Sequence, residues 1–179
     1  FLIKISLILK PFFELIFRGD RFVDPINNKS YSYFFPYGYN KLRKNALSPG
    51  TLSLERHRLL WIFLEKETDF FNTENKILHI APEQCFYKSF KKNFGSYTTC
   101  DLNSPIAEIR ADVCNLPFDE NEFDFVLCNH VLEHVYDDER AMKEIYRVLK
   151  HEGKAILQVP LDNALAVSYT HLTLPTIAG

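Results

Sequence analysis

Changes in the spacing of apolar residues divide the middle of the chain into short elements. LSLERHRLLWIFLEK (residues 52–66) carries a broad apolar stripe at helical spacing, with Ser53 placed to cap it and Glu55 in its first turn. KILHIA (Lys76–Ala81) is a short apolar run stopped by Pro82, which predicts a buried strand. QCFYKSFKKNF predicts a helix, and SYTTCD (Ser96–Asp101) a second strand rich in β-branched and aromatic residues. AEIRAD (Ala107–Asp112) and FDFVLCN (Phe123–Asn129) predict a third and a fourth strand. In DDERAMKEIYRVLKHEG, Asp137 or Asp138 caps a helix, Ala141, Ile145, Val148 and Leu149 form its apolar stripe, and Gly153 ends it. KAILQVP (Lys154–Pro160) predicts a fifth strand. Strands separated by helices or short crossovers predict an α/β fold, a Rossmann-like doubly wound parallel sheet covered on both faces.

Composition narrows the setting. The 179 residues are 46% hydrophobic, 25% charged and 15% aromatic, enough for about one domain with a real core. A net charge of −2 argues against a dedicated nucleic-acid binder. Charge is uneven, with ten Lys+Arg against four Asp+Glu in residues 1–58 and an acidic excess beyond. The basic residues of this front (Arg18, Arg21, Lys41, Arg43, Lys44, Arg56, Arg58) form a solvated face or suit an anionic acceptor. Cys85, Cys100, Cys114 and Cys128 form no CxxC pair, which reads as a reduced, cytoplasmic chain. The opening FLIKISLILKPFFELIF is too short and too broken by Lys4, Lys10 and Pro11 to span a membrane. It reads as a helix packed on the body, with peripheral membrane contact by residues 1–17 as the alternative.

The ends suggest a fragment. Residue 1 is Phe rather than Met, and residues 166–179 are similar to translated sequencing-adapter tails. The expected organisation is an N-terminal segment over 1–52, an incomplete core over 53–165 truncated after about the fifth strand, and a non-native tail.

In a doubly wound sheet, chemistry gathers at the carboxyl ends of the strands. The first predicted strand ends in His79-Ile80-Ala81-Pro82-Glu83, and the second in Asp101-Leu102, at a spacing that suits a carboxylate reaching a ribose hydroxyl pair. The third ends in Asp112-Val113 and the fourth in Asn129-His130, with His134 one turn further on.

The run ADVCNLPFDENEFDFVLCNHVLEHVYDDERAMKEIYRVLKHEGKAILQVP resembles the second half of a class I S-adenosylmethionine-dependent methyltransferase of the "type 11" kind, the resemblance covering about residues 54–160. It implies S-adenosylmethionine as cofactor, Asp101 on its ribose, Asp112-Val113 on its adenine, and Asn129 and His130 along its methionine end and the acceptor pocket. The family's first turn is roughly D-x-G-x-G, whereas here His79 replaces the acid, Ala81 the first glycine and Glu83 the second. Glu83 is then the candidate carboxylate for the methionine ammonium, and His130 or His134 the candidate general base. Asp24-Pro25-Ile26-Asn27 and Ser48-Pro49-Gly50-Thr51 resemble two C-P-x-C knuckles of zinc-ribbon methyltransferases. Asp, Asn, Ser and Thr cannot supply the thiolates of a structural zinc site, so a metal-free remnant is expected.

The expected function is methyl transfer to a small-molecule or glycan-type acceptor, with no nucleic-acid partner. Two alternatives remain: a cofactor-binding pseudo-enzyme with a regulatory role, and an RNA-associated module suggested by the aromatic and basic residues of YSYFFPYGYNKLRKN. Oligomeric state is not legible.

Overall fold

The computed structural model describes residues 12–38 and 41–160; the adapter-like tail and most of the apolar opening lie outside the described residues. After a helical turn over residues 12–16, the chain forms two antiparallel hairpins. The first pairs β1 (Arg18–Asp24) with β2 (Lys29–Tyr31), and the second β3 (Phe35–Tyr37) with β4 (Arg43–Leu47). Then follow α1 (Glu55–Lys66), β5 (Lys76–Ile80), α2 (Gln84–Asn93), β6 (Ser96–Asp101), β7 (Ile109–Arg110), β8 (Phe123–Asn129), a 3-10 turn (Leu132–His134), α3 (Asp138–Val148) and β9 (Leu149–Gln158).

The last five strands form one parallel sheet in the order β7-β6-β5-β8-β9. The order reverses beside β5, whose neighbours β6 and β8 are reached by crossovers in opposite directions. Such a reversal opens a crevice at the carboxyl ends of β5 and β8, where ligands of doubly wound sheets bind.

The pleat sorts side chains between two cores. Ile77, Phe125 and Leu127 face α1 and α2 and pack with Leu60, Trp61, Leu64, Phe86 and Phe90. Leu78, Ile80, Val126 and Cys128 face the other way, against Ala141, Ile145 and Val148 of α3. Helices therefore cover both faces, as the strand pattern predicts. The first core is an aromatic slab, with Phe86 and Phe90 stacked at 5.2 Å between centroids and Trp61 lying on Phe90 at 5.7 Å. Such pairs add about 0.5–1.5 kcal/mol each beyond their area.

Three local expectations are corrected. The N-cap of α1 is Leu54, not Ser53. The Ser53 hydroxyl is drawn to Thr51, and the His57 ring accepts the Leu54 N–H instead. Asp137 caps α3 by accepting from the Arg140 N–H, but Gly153 does not end that helix. The helix stops at Val148 and the chain passes directly into β9, where Leu149 pairs with Phe123 of β8 before an irregularity at positive-φ Glu152 carries the ladder on to Lys154 opposite Phe125. The third strand of the sheet is only Ile109–Arg110, since Asp112 turns back to bridge Asn115.

Candidate functional site

The carboxyl ends of β5, β6 and β8 surround a cleft of about 430 Å³. Its lining includes Ala81, Asp101, Leu102, Asp112, Val113, His130 and His134, so seven of the sequence-derived site residues meet around one space. That volume falls within the range of small-molecule sites.

Each lining group is aimed by its local backbone. Asp101 ends β6, and its Oδ1 accepts the N–H groups of Asn103 at 2.7 Å and Ser104 at 2.5 Å. This turn fixes the carboxyl and leaves Oδ2 for a ligand. Asp112 Oδ1 accepts the Cys114 N–H at 2.9 Å, forming the same kind of turn one strand further along. His130 sits at φ 55°, the left-handed region, immediately after β8. Its N–H donates to the Gln158 carbonyl at 2.8 Å, so the sheet ladder holds the strained residue in place. His130 Nδ1 lies 3.2 Å from Glu133 Oε1, which leaves Nε2 as the ring atom able to take a proton. His134 is exposed at the rim.

Ala81 also has a positive φ, 51°. The turn after β5 keeps the backbone course that glycine favours while carrying a methyl group there. The Ala81 N–H continues the ladder to the Cys100 carbonyl at 2.9 Å.

His79, Glu83 and Asn129 are not in the cleft lining; they form a buried chain beside it. The Tyr97 hydroxyl contacts His79 Nδ1 at 2.9 Å, His79 Nε2 contacts Glu83 Oε2 at 2.6 Å, and Asn129 Nδ2 donates to Glu83 Oε1 at 3.1 Å. An ionised carboxylate only accepts, so Nε2 is the donor and the phenol donates to Nδ1. Burial opposes ionisation of Glu83, but the hydrogen bond from His79, with smaller help from His57 and Asn129, outweighs it and holds the carboxyl below the usual range. Asn129 Oδ1 points away from Glu83, buried and without a hydrogen-bond partner.

Sequence reasoning missed three residues. Tyr97 fixes His79, while His57 of α1 and Gln158 of β9 carry buried side-chain atoms with no partner. The available signals were a histidine on the apolar stripe of LERHRLLW and a glutamine inside AILQV.

The described residues hold no cluster of three His, Cys, Asp or Glu able to bind a metal. The two knuckle-like segments nevertheless converge. The Thr51 hydroxyl donates to Asp24 Oδ2 at 2.5 Å, and Ser48 Oγ accepts from the N–H groups of Gly50 and Thr51. Asn27 instead donates to the Tyr31 hydroxyl at 2.8 Å. In the aromatic run, Tyr31 and Phe34 are buried and Phe35 packs edge-on against Phe13 and Phe17, whereas Tyr33 is exposed. Among the described residues no helix is long and apolar enough to cross a membrane.

Residues 76–157, from the start of β5 almost to the end of β9, match the family described as "Methyltransferase domain". This stretch, just under half of the chain, is similar to the methyltransferase domains of that family. An uncharacterised protein of Methanocaldococcus jannaschii is 50% identical over 58 residues, 32% of this chain and 25% of the relative. The 2-phytyl-1,4-naphtoquinone methyltransferase of Nostoc punctiforme is 46% identical over 52 residues, 29% of this chain and 23% of the relative. The crystal structure of the YcgJ protein of Bacillus subtilis is 22% identical, with a TM-score of 0.46 over 57% of this chain and 50% of that one. The chain thus matches about a quarter of the length of these curated relatives.

The residues present fit the family's cofactor. The turn formed by Asp101 leaves a carboxylate oxygen for the ribose diol, and the Glu83 carboxylate has spare lone pairs for an ammonium. The unpartnered Asn129 Oδ1 is a further acceptor at the same strand end.

Proposed function

We propose that this domain moves a methyl group from S-adenosylmethionine to a small-molecule or glycan-type acceptor. The observation that carries the reading is the gathering of Ala81, Asp101, Asp112, Val113 and His130 around one cleft at the point where the strand order reverses. Bound there, the cofactor supplies a carbon already activated for attack by its sulfonium.

The protein's work is then mainly alignment. Asp101 orients the ribose through charge-assisted hydrogen bonds, and Asp112 with Val113 frames the adenine. Glu83, steadied by His79 and Asn129, holds the amino group at the methionine end. His130 Nε2, opposite the atom engaged by Glu133, is placed to accept a proton from an acceptor hydroxyl, with His134 at the rim as second candidate. The naphthoquinone in the name of the Nostoc relative supports a small-molecule acceptor.

Calorimetry of the full-length protein with S-adenosylhomocysteine tests the reading, followed by transfer of labelled methyl from S-adenosylmethionine to fractionated cell extract. Binding together with a labelled product supports it, and absence of binding overturns it. Binding with no transfer to any fraction establishes the cofactor-binding pseudo-enzyme instead.

A further inference from the structure

The chain leaves β8 through His130, in the left-handed region, and turns at once into the 3-10 segment that carries Glu133. The His134 N–H closes that turn on the Val131 carbonyl at 2.9 Å, and the Val135 N–H on the Leu132 carbonyl at 3.2 Å. Leu132 belongs to the core under α3, with Val131 and Val135 packed against it. A strained backbone persists only where its surroundings fix it, and this one is fixed from both sides of His130.

The two side chains stand in different surroundings. His130 lines the cleft, whereas Glu133 lies behind it; their side chains are 34% and 15% exposed. Glu133 Oε1 is 3.2 Å from His130 Nδ1, and Glu133 Oε2 is buried without a hydrogen-bond partner among the described residues. An ionised carboxylate only accepts, so Nδ1 carries the proton of the neutral ring and Nε2 keeps its lone pair. A free histidine ring favours the other tautomer, whose Nε2 already holds a proton and cannot act as a base. An unmade hydrogen bond at a buried polar atom costs about 1–3 kcal/mol, and a cationic ring beside the carboxylate offsets part of it. The pair thus selects the tautomer with an open nitrogen and stabilises the imidazolium that forms when this nitrogen takes a proton.

We propose that Glu133 is a positioning residue that holds His130 as the Nδ1–H tautomer and balances its imidazolium, and that the acceptor taken by this site is a hydroxyl, which loses a proton as it is methylated. The inference rests on the methyltransferase reading and narrows its acceptor class. In the step it implies, the hydroxyl oxygen gives an electron pair to the methyl carbon and the C–O bond forms. The carbon–sulfur bond breaks with its pair left on sulfur as a neutral thioether. The hydroxyl proton passes to Nε2 and from there to water, while Nδ1 keeps its own proton against Glu133. A carboxylate acceptor has no proton to lose, and it would meet a cleft lined by Asp101, Asp112 and Asp137 and by no lysine or arginine. An amine attacks with its own lone pair and sheds a proton to water afterwards, so neither class needs the pair.

The test uses the full-length protein with isotope-labelled histidine, saturated with S-adenosylhomocysteine. Proton–nitrogen correlation NMR at about pH 8, above the ordinary histidine range, reads the ring tautomer, and His130→Gln identifies the signals. The unsubstituted protein is expected to carry the proton on Nδ1. Glu133→Gln keeps the shape but offers the ring an amide donor, and is expected to move the proton to Nε2. It should leave the S-adenosylhomocysteine dissociation constant within about twofold and slow transfer of labelled methyl to cell extract by about tenfold or more. Label in the product is expected to be released by hydriodic acid but not by mild alkali, the behaviour of a methyl ether. The proton on Nε2 in the unsubstituted protein overturns the proposal, and this reading stands even where Glu133→Gln fails to fold. A tautomer indifferent to Glu133→Gln, label released by mild alkali as from an ester, label resistant to hydriodic acid, or no transfer at all overturns it too. In each of these cases retained S-adenosylhomocysteine binding leaves the cofactor site standing. Absence of that binding in the unsubstituted protein overturns the methyltransferase reading and the proposal together.

Discussion

His79 and Glu83, four residues apart on either side of the turn that leaves β5, meet at 2.6 Å with the histidine wholly buried. The contact changes what the first turn is made of. A glycine-rich turn lets backbone approach a ligand; this one sends a carboxylate, held by His79 (itself held by Tyr97) and from the side by Asn129, to the same edge of the sheet. His79 is thus placed to position the Glu83 carboxylate.

Ala81 carries the cost of that turn. At φ 51° an L-residue is less stable than in the right-handed region by about 1–2 kcal/mol, part of which glycine would give back in unfolded-chain entropy. Ala81→Gly is expected to raise unfolding stability by about 0.5–1 kcal/mol in a urea titration. A drop in the midpoint would show that the methyl group is needed for packing.

Asp101→Asn retains the Oδ1 that accepts from Asn103 and Ser104 while replacing the second carboxylate oxygen with a donor. S-adenosylhomocysteine affinity is expected to fall about tenfold or more, since hydrogen bonds to a charged group are worth about 1.5–3 kcal/mol. Circular dichroism and the melting curve should be nearly unchanged. An unaltered dissociation constant would remove Asp101 from the cofactor site.

Two buried groups set the acid limb of stability. Burial, with Arg56 beside it, depresses the His57 pKa from 6.5 to about 4. The unfolded chain therefore binds a proton in that window that the folded chain refuses, so stability rises with pH from about 4 to 6.5 and levels off above it, a span worth about 3 kcal/mol. The Glu83 carboxyl, also held low, contributes stability above the ordinary glutamate range, about 4.3, that is lost as pH falls further. Urea unfolding across pH 4.5 to 7.5 is expected to show this slope, and His57→Asn to flatten it. An equal slope in the variant would mean that other groups set it.

The hydrogen-bonded knuckles make a prediction about metal and one about folding. Elemental analysis of purified protein is expected to find no stoichiometric zinc; about one zinc per chain would overturn the remnant reading. Thr51→Val takes a donor from the buried Asp24 carboxylate and is expected to cost about 1.5–3 kcal/mol. The Ile26 N–H, at 3.0 Å from Oδ1, remains as partial compensation.

The sheet was legible because its strands are apolar runs closed by polar residues, and the groups lining the cleft sit at those closures: Asp101, Asp112 and His130. What escaped was whatever depends on tertiary contact. Ser53 reads as a cap only until Thr51 competes for its hydroxyl, and Gly153 reads as a helix stop only until Leu149 pairs with Phe123 of β8. His57 and Gln158 looked like minor interruptions of apolar stripes. Each has a buried side-chain atom without a partner only once the fold closes around it, which no local window contains.

Trp61 is the chain's one tryptophan. It stacks on Phe86 at 6.3 Å, and Phe86 in turn meets the His57 ring. The indole is thus one ring removed from His57, and the slab shields it from water. Its fluorescence is therefore a built-in reporter on the packing between α1, α2 and the sheet.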